Sequence, residues 1–341
     1  MRRVTRQPLR LGAIDLAAEI GQELNLPLNR INEKFSFDAA TASGLKDIRL
    51  LIGRRAEKIF EYVVASLGRA ELIHQEDAAA PLYTGADVQA PDYFVALKTG
   101  ERYFIEVKHT RGQNFHTPVN FSRNYLARLK RYAHLKGHPL IIAVYWAGLH
   151  QWTINKVEDF ETANGTINLR FVEAMRKNIS GDFGDRMIGI VPPLVCRVHA
   201  DPDRPSTINE EGVANFIIGA LSFYSENQEI LTDVEKQVAF YLLFHSRWDT
   251  SEPIATMHGD RVNYVDFIAE PPERTEGQEF EIIDSLASMV SRHFEWLTTA
   301  DEGIVRLTPQ LTPAQMAPGW DDSYKSDVLR LWQLHLVPGY E

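Results

Sequence analysis

Asp92, Glu106 and Lys108 lie within the stretch PDYFVALKTGERYFIEVKHT, residues 91–110. Two carboxylates and an ammonium are the side chains that metal-assisted hydrolysis uses, so the question is whether the chain brings them together. The segment RYFIEVKH alternates. Tyr103, Ile105 and Val107 face one way; Phe104, Glu106 and Lys108 face the other. The connection LKTGE suits a three-residue loop of Lys98, Thr99 and Gly100, with Gly100 at the left-handed position of a bulge. That loop sets Leu97 opposite Glu101 and, counting outward, Asp92 opposite Glu106. Directly opposed side chains have Cβ atoms about 5 Å apart. Two like charges at that distance repel unless a cation lies between them. The expected cation is hard and divalent, Mg²⁺ or Mn²⁺, taking oxygen ligands and keeping several waters. Lys108, one pleat further on the same face, is placed to orient or deprotonate a water and to stabilise charge growing on phosphorus. The metal would polarise the phosphoryl oxygen and acidify the bound water. A Glu-x-Lys alone is common on exposed strands. Here it follows a Pro-Asp strand start and a hairpin turn, and it sits in an apolar strand.

The elements that must position these residues are legible around them. A helix is expected at 45–67, the hairpin at 92–109, a helix at about 121–136, and strands at 139–147 and 151–155. Helix and strand in this order predict an α/β domain with a mixed sheet flanked by helices. A further amphipathic helix is expected at 11–24; its Asp15 and Glu19 argue against a signal peptide. The stretch HADPDRPSTINEEG (199–212) combines turn formers with a change in charge and is the expected domain boundary. The N-terminal domain is then 1–200, with its core at about 45–155. Residues 206–341 are expected to form a mainly α-helical accessory domain. Apolar spacings of three and four suggest helices at 210–226, 231–246, 278–298 and 322–335, interrupted by a hairpin at 255–268. The six tryptophans are read as packing residues.

Pro91-Asp92 with Glu106-Val107-Lys108 resembles the PD-(D/E)xK nuclease superfamily, the restriction-endonuclease-like fold, over roughly residues 45–155. The order of helix, motif hairpin, helix and apolar strand fits as well. The resemblance implies Mg²⁺-dependent phosphodiester cleavage, with Asp92 and Glu106 as metal ligands and Lys108 as the catalytic lysine. It also implies a further acid from the preceding helix. Glu57 lies at the edge of the arc formed by Ile52, Ala56, Phe60, Val63 and Leu67, and Glu61 lies about 40° further out. Glu57 is favoured as third ligand, with Glu61 as its substitute. A polar residue from the following helix is also implied; Gln113, Arg123 and Asn124 are in reach of that role. His109 should point to the opposite face and is read as structural.

Charge locates the partner. Residues 107–139 contain no acid, and Arg111, Arg123, Arg128, Lys130 and Arg131 crowd the segment after the motif. Cations without counter-charges beside a metal site suit a phosphate backbone, most simply DNA. Phe115, Phe121 and Tyr125 are read as core or loop anchors rather than as base-stacking rings. Residues 1–200 carry a net +6 and residues 201–341 a net −16. The acidic part is expected to face away from nucleic acid and to serve self-association, a homodimer included, or a protein partner. His245 and His258 lack partners at metal-ligand spacing, so zinc is not expected. The single cysteine, Cys196, excludes a disulfide framework and points to a reducing cytoplasm. The longest apolar run, PLIIAVYWAGL, is too short to span a bilayer, so no membrane partner is expected. No phosphate-binding glycine loop, dinucleotide fingerprint or nucleophile elbow occurs. The readings left are a metal-dependent endonuclease, in restriction, anti-phage defence or repair, and a non-catalytic nucleic-acid-binding or scaffolding protein that keeps the same fold.

Overall fold

The computed structural model describes residues 16–18, 20, 36, 46–76, 84–112, 115–162, 165–301 and 303–339. The helix expected at 11–24 falls in a stretch of which residues 16–18 and 20 alone are described. The first long helix is α1, Ile48–Leu67. Asp47 caps it by accepting from the Arg49 and Leu50 N–H groups, and Gly68 ends it at φ 86°. Its buried stripe includes Ala56, Ile59, Phe60, Val63 and Leu67.

The strands β1 (Ala70–Gln75), β2 (Tyr93–Leu97) and β3 (Arg102–Thr110) follow. Then come helix α2 (Arg123–Lys136) and strands β4 (Leu140–Trp146) and β5 (Gln151–Lys156). The five strands form one mixed sheet in the order β1-β2-β3-β4-β5. β3 and β4 are parallel and the other neighbours antiparallel. A parallel pair needs a crossover, and α2 supplies it. β4, LIIAVYW, is buried throughout, as a strand covered on both faces must be. On one face Val95, Ile105 and Ile141 pack with Ile59, Phe60 and Val63 of α1. On the other, Phe104, Ile142 and Val144 pack with Leu126, Leu129 and Ala133 of α2.

Beyond β5 the chain is rich in strands, and the mainly α-helical C-terminal domain is not found. Strands β6 (Met187–Ile190) and β7 (Leu194–Ala200) lead into β8 (Ile218–Ser225) and β9 (Gln228–Ile230). Helix α3 (Asp233–His245) is followed by β10 (Ile254–His258), β11 (Arg261–Ala269) and β12 (Glu281–Ser285). Helix α4 (Leu286–Thr298) and β13 (Trp332–Leu334) complete the chain. A second sheet runs β9-β8-β7-β11-β10, and β12-β6-β13 forms a third.

The expected helix at 210–226 is mostly strand. Its apolar residues satisfy either period. The turn decides: Glu226 and Asn227 both have positive φ, 51° and 65°, as a two-residue hairpin requires. Gly219 seals it, because a Cβ there would stand 2.9 Å from Asp201 Cα. The helix expected at 278–298 starts as strand β12, paired with β6, and becomes helical only from Leu286. The stretch 322–335 holds no helix; Trp332–Leu334 pairs with β6, and Gln333 accepts from Arg186 Nε at 2.6 Å. Tertiary pairing overrides local spacing here. The expectations at 231–246 and 255–268 match α3 and the β10–β11 hairpin. The turn-rich stretch 199–212 runs out of β7, and β7 itself belongs to the second sheet. Leu286, Val290 and Phe294 of α4 share one apolar core with α1 and the first sheet. Four tryptophans are buried, Trp332 stacks on Phe280, and Trp296 is exposed rather than packed.

Candidate active site

The β2–β3 hairpin has the register that the alternation implies. Tyr93 pairs with Ile105 and Val95 with Tyr103, which continues to Asp92 beside Glu106. Leu97 N–H donates to Glu101 O at 2.8 Å and Gly100 N–H to Leu97 O at 3.0 Å; Gly100 has φ 103°. The turn therefore fixes which side chains share a face.

Asp92, Glu106 and Lys108 line a cleft of about 600 Å³ between α1, β3 and the start of α2. Asp92 Oδ2 accepts from the Val107 N–H at 2.6 Å. Glu106 is 2% exposed, and its Oε1 accepts from Lys108 Nζ at 2.5 Å and from the Tyr125 hydroxyl at 2.5 Å. Among the described residues, Asp92 Oδ1 and Glu106 Oε2 accept no hydrogen bond. Burial pushes the Asp92 carboxyl up to about 8. The Glu106 carboxylate adds to the rise, while the Val107 N–H and Lys108 oppose it. Two acids sharing a desolvated cleft cannot both ionise cheaply without a nearby cation.

Glu57 also lines the cleft, and its charge helps raise Asp92. Its Oε2 is held by Arg54 Nη1 at 2.8 Å. Glu61 does not line the cleft; its Oε2 accepts from Lys58 Nζ at 2.9 Å. Among the described residues no group of three or more His, Cys, Asp or Glu is arranged to hold a metal ion. The donor set at hand is thus two carboxylates, each with one oxygen open. That set fits Mg²⁺ or Mn²⁺, which binds through one or two carboxylates and retains water, and it does not fit zinc.

The basic residues divide. Arg111 is exposed on the cleft wall. Arg128 lies with its guanidinium 5.9 Å from the Tyr125 ring centroid. Arg123 donates to Gly165 O at 2.7 Å, Lys130 pairs with Glu161 at 2.6 Å, and Arg131 donates to Thr84 O at 3.4 Å. Arg128 and those three do not line the cleft. Asn124 is exposed and outside it, and Gln113 lies outside the described residues.

No protein-family model matches the chain, and no curated protein does. Among solved structures, the chain is similar to Hjc, a Holliday junction resolvase of Archaeoglobus fulgidus. Identity is 16% and the TM-score 0.25, over 31% of this chain and 83% of that one. A likeness that distant decides nothing about function. The site itself carries the reading.

Two cleft residues escaped the sequence reading. His109 faces the Tyr145 ring, 6.3 Å between centroids, and yet lines the cleft. Burial, and then Arg111, push its imidazole below the usual range. Tyr125 is a first-turn residue of α2, where Ser122 Oγ accepts from the Tyr125 N–H at 3.3 Å. Burial, and then Glu106, raise its hydroxyl well above the ordinary phenol range. The signal for Tyr125 was its neighbourhood: α2 must cover the β3 face that bears Phe104, Glu106 and Lys108.

Proposed function

We propose that this chain is a metal-dependent nuclease that hydrolyses phosphodiester bonds, most simply in DNA. Asp92 and Glu106 are its metal ligands, Glu57 is a third acid available on rotation away from Arg54, and Lys108 is the catalytic lysine. The observation that carries the reading is the pairing of Asp92 and Glu106 in one cleft, each with an open oxygen, beside the Lys108 ammonium. A divalent cation bound there would acidify a coordinated water and polarise a phosphoryl oxygen. The Val107 N–H holds Asp92 in place. Lys108 directs its charge into the cleft, where it would orient the attacking water and stabilise the charge developing on the phosphate. Arg111 is placed to take a neighbouring phosphate, and the outer face of α2 supplies longer-range attraction for the backbone.

The test is incubation of wild type and Lys108→Ala with supercoiled plasmid, linear duplex, single-stranded DNA and RNA, in Mg²⁺ or EDTA. Cleavage of at least one substrate in Mg²⁺ alone, reduced roughly 10²–10³-fold by Lys108→Ala, is expected. Equal cleavage by the variant, or cleavage in EDTA, would overturn the reading. One observation favours a non-catalytic nucleic-acid-binding protein instead: Glu106 is already paired with Lys108, and Glu57 with Arg54. Calorimetry separates the two. The nuclease binds Mg²⁺ and loses it on Asp92→Ala; a plain scaffold has none to lose.

A further inference from the structure

We propose that Tyr125 is a positioning residue with two separable parts: its hydroxyl fixes one Glu106 oxygen so that the other is left for the cation, and its ring carries the Lys108 ammonium. The proposal rests on the nuclease reading of the same cleft. Carboxylate torsions are broad, so a glutamate without an anchor swivels freely. Here Oε1 is anchored twice, by the Tyr125 hydroxyl and by Lys108, both at 2.5 Å. Among the described residues, Oε2 is the oxygen left without a partner.

Lysine has a flexible four-carbon stem, and its ammonium goes where neighbours hold it. Lys108 Nζ lies 4.8 Å from the Tyr125 ring centroid and 5.7 Å from that of Phe121, and 3.4 Å from the Tyr125 hydroxyl. The two rings stack at 6.4 Å and 18°. Ring faces attract cations, so this pair forms a shelf that keeps the ammonium over the cleft. The shelf is itself fixed, because Ser122 caps α2 through the Tyr125 N–H and Phe121 packs edge-on against Phe160 at 5.3 Å. A residue that only filled space would not aim its hydroxyl at a buried carboxylate.

Tyr125→Phe keeps the ring and removes the hydroxyl. Tyr125→Met keeps a long apolar side chain and removes both. In Mn²⁺ calorimetry both variants should bind about tenfold more weakly than wild type, a difference worth about 1.4 kcal/mol. At saturating Mn²⁺, Tyr125→Met should lose roughly 10²-fold in kcat, well beyond the loss in Tyr125→Phe. The Tyr125→Met loss should vanish in a Lys108→Ala background, because the ring acts through the lysine. In metal-free wild type, the Lys108 ε-methylene protons, assigned by their absence in Lys108→Ala, should resonate upfield from the ring current. They should stay upfield in Tyr125→Phe and return in Tyr125→Met.

Wild-type Mn²⁺ affinity in Tyr125→Phe overturns the hydroxyl half. A random-coil position for the wild-type ε-methylene overturns the ring half, even if Tyr125→Met fails to fold. If wild type cleaves nothing yet binds Mn²⁺ more tightly than Tyr125→Phe, the positioning role stands and the nuclease reading falls.

Discussion

Asp92 is ionised in the unfolded chain above its ordinary 3.8, but the fold holds its proton up to about 8. A carboxyl raised in this way favours the fold fully at acid pH and loses that contribution as pH climbs through 8. In EDTA the Asp92 contribution should therefore fall by on the order of a few kcal/mol between pH 4 and 8. Asp92→Asn should melt higher than wild type at pH 8, with the gap closing at pH 4. A gap independent of pH in thermal melts would show that Asp92 is not desolvated. The two helix acids make a second contrast. Glu57 lines the cleft and Glu61 does not. Glu57→Gln should weaken Mg²⁺ binding several-fold by calorimetry, and Glu61→Gln should leave it unchanged; the reverse order would exchange their roles.

At the scale of elements, the β2–β3 turn is what puts Asp92 and Glu106 on one face. Gly100 has φ 103°, and among the described residues a Cβ built there meets nothing within 4 Å. The cost of Gly100→Ala is then backbone strain alone, about 1–2 kcal/mol in denaturant unfolding, and Gly100→Asn should cost less. Equal losses for the two would point to packing instead. Where α3 meets α4, His245 and His293 stack at 4.0 Å between centroids, and both Nδ1 atoms are buried with no hydrogen-bond partner among the described residues. Burial, and then His293, push the His245 imidazole down to about 3. A base depressed in this way supports the fold above its ordinary 6.5 and loses that support as pH falls toward 3. His245→Phe should therefore lose less stability than wild type between pH 6.5 and 4, as urea titrations would reveal.

At the scale of the molecule, α4 closes the core over α1. Tyr62 meets Phe294 at 5.3 Å, Trp152 Nε1 donates to Ser291 Oγ at 2.9 Å, and the Tyr145 hydroxyl donates to Glu295 at 2.9 Å. Asp185 ties the same junction, accepting from Ala287 N–H at 3.0 Å and from Ser180 at 3.1 Å. A chain stopped at residue 205 leaves that apolar surface bare. It should aggregate or bind a hydrophobic dye without cooperative melting. A soluble, cooperatively melting fragment would show that the first sheet stands alone. The acidic region accordingly has a structural duty before any role with partners. No helix among the described residues is long and apolar enough to cross a membrane.

The hairpin, its register and the pairing of Asp92 with Glu106 were set by local sequence, because a strand alternates every residue and a glycine turn fixes the count. The helices α1 and α2 were equally legible from their apolar stripes. Beyond residue 200 only α3 and the β10–β11 hairpin were legible. Elsewhere in that region the apolar spacings fit helix and strand alike, and pairing with β6 and β7 chose strand for 218–225, 281–285 and 332–334. The edge of the α1 arc already favoured Glu57 over Glu61, and the cleft lining agrees; tertiary structure alone brought Tyr125 onto Glu106. That outcome depends on how α2 lies across the sheet. A sequence gives each helix its face, but only packing sets where along the sheet that face lands.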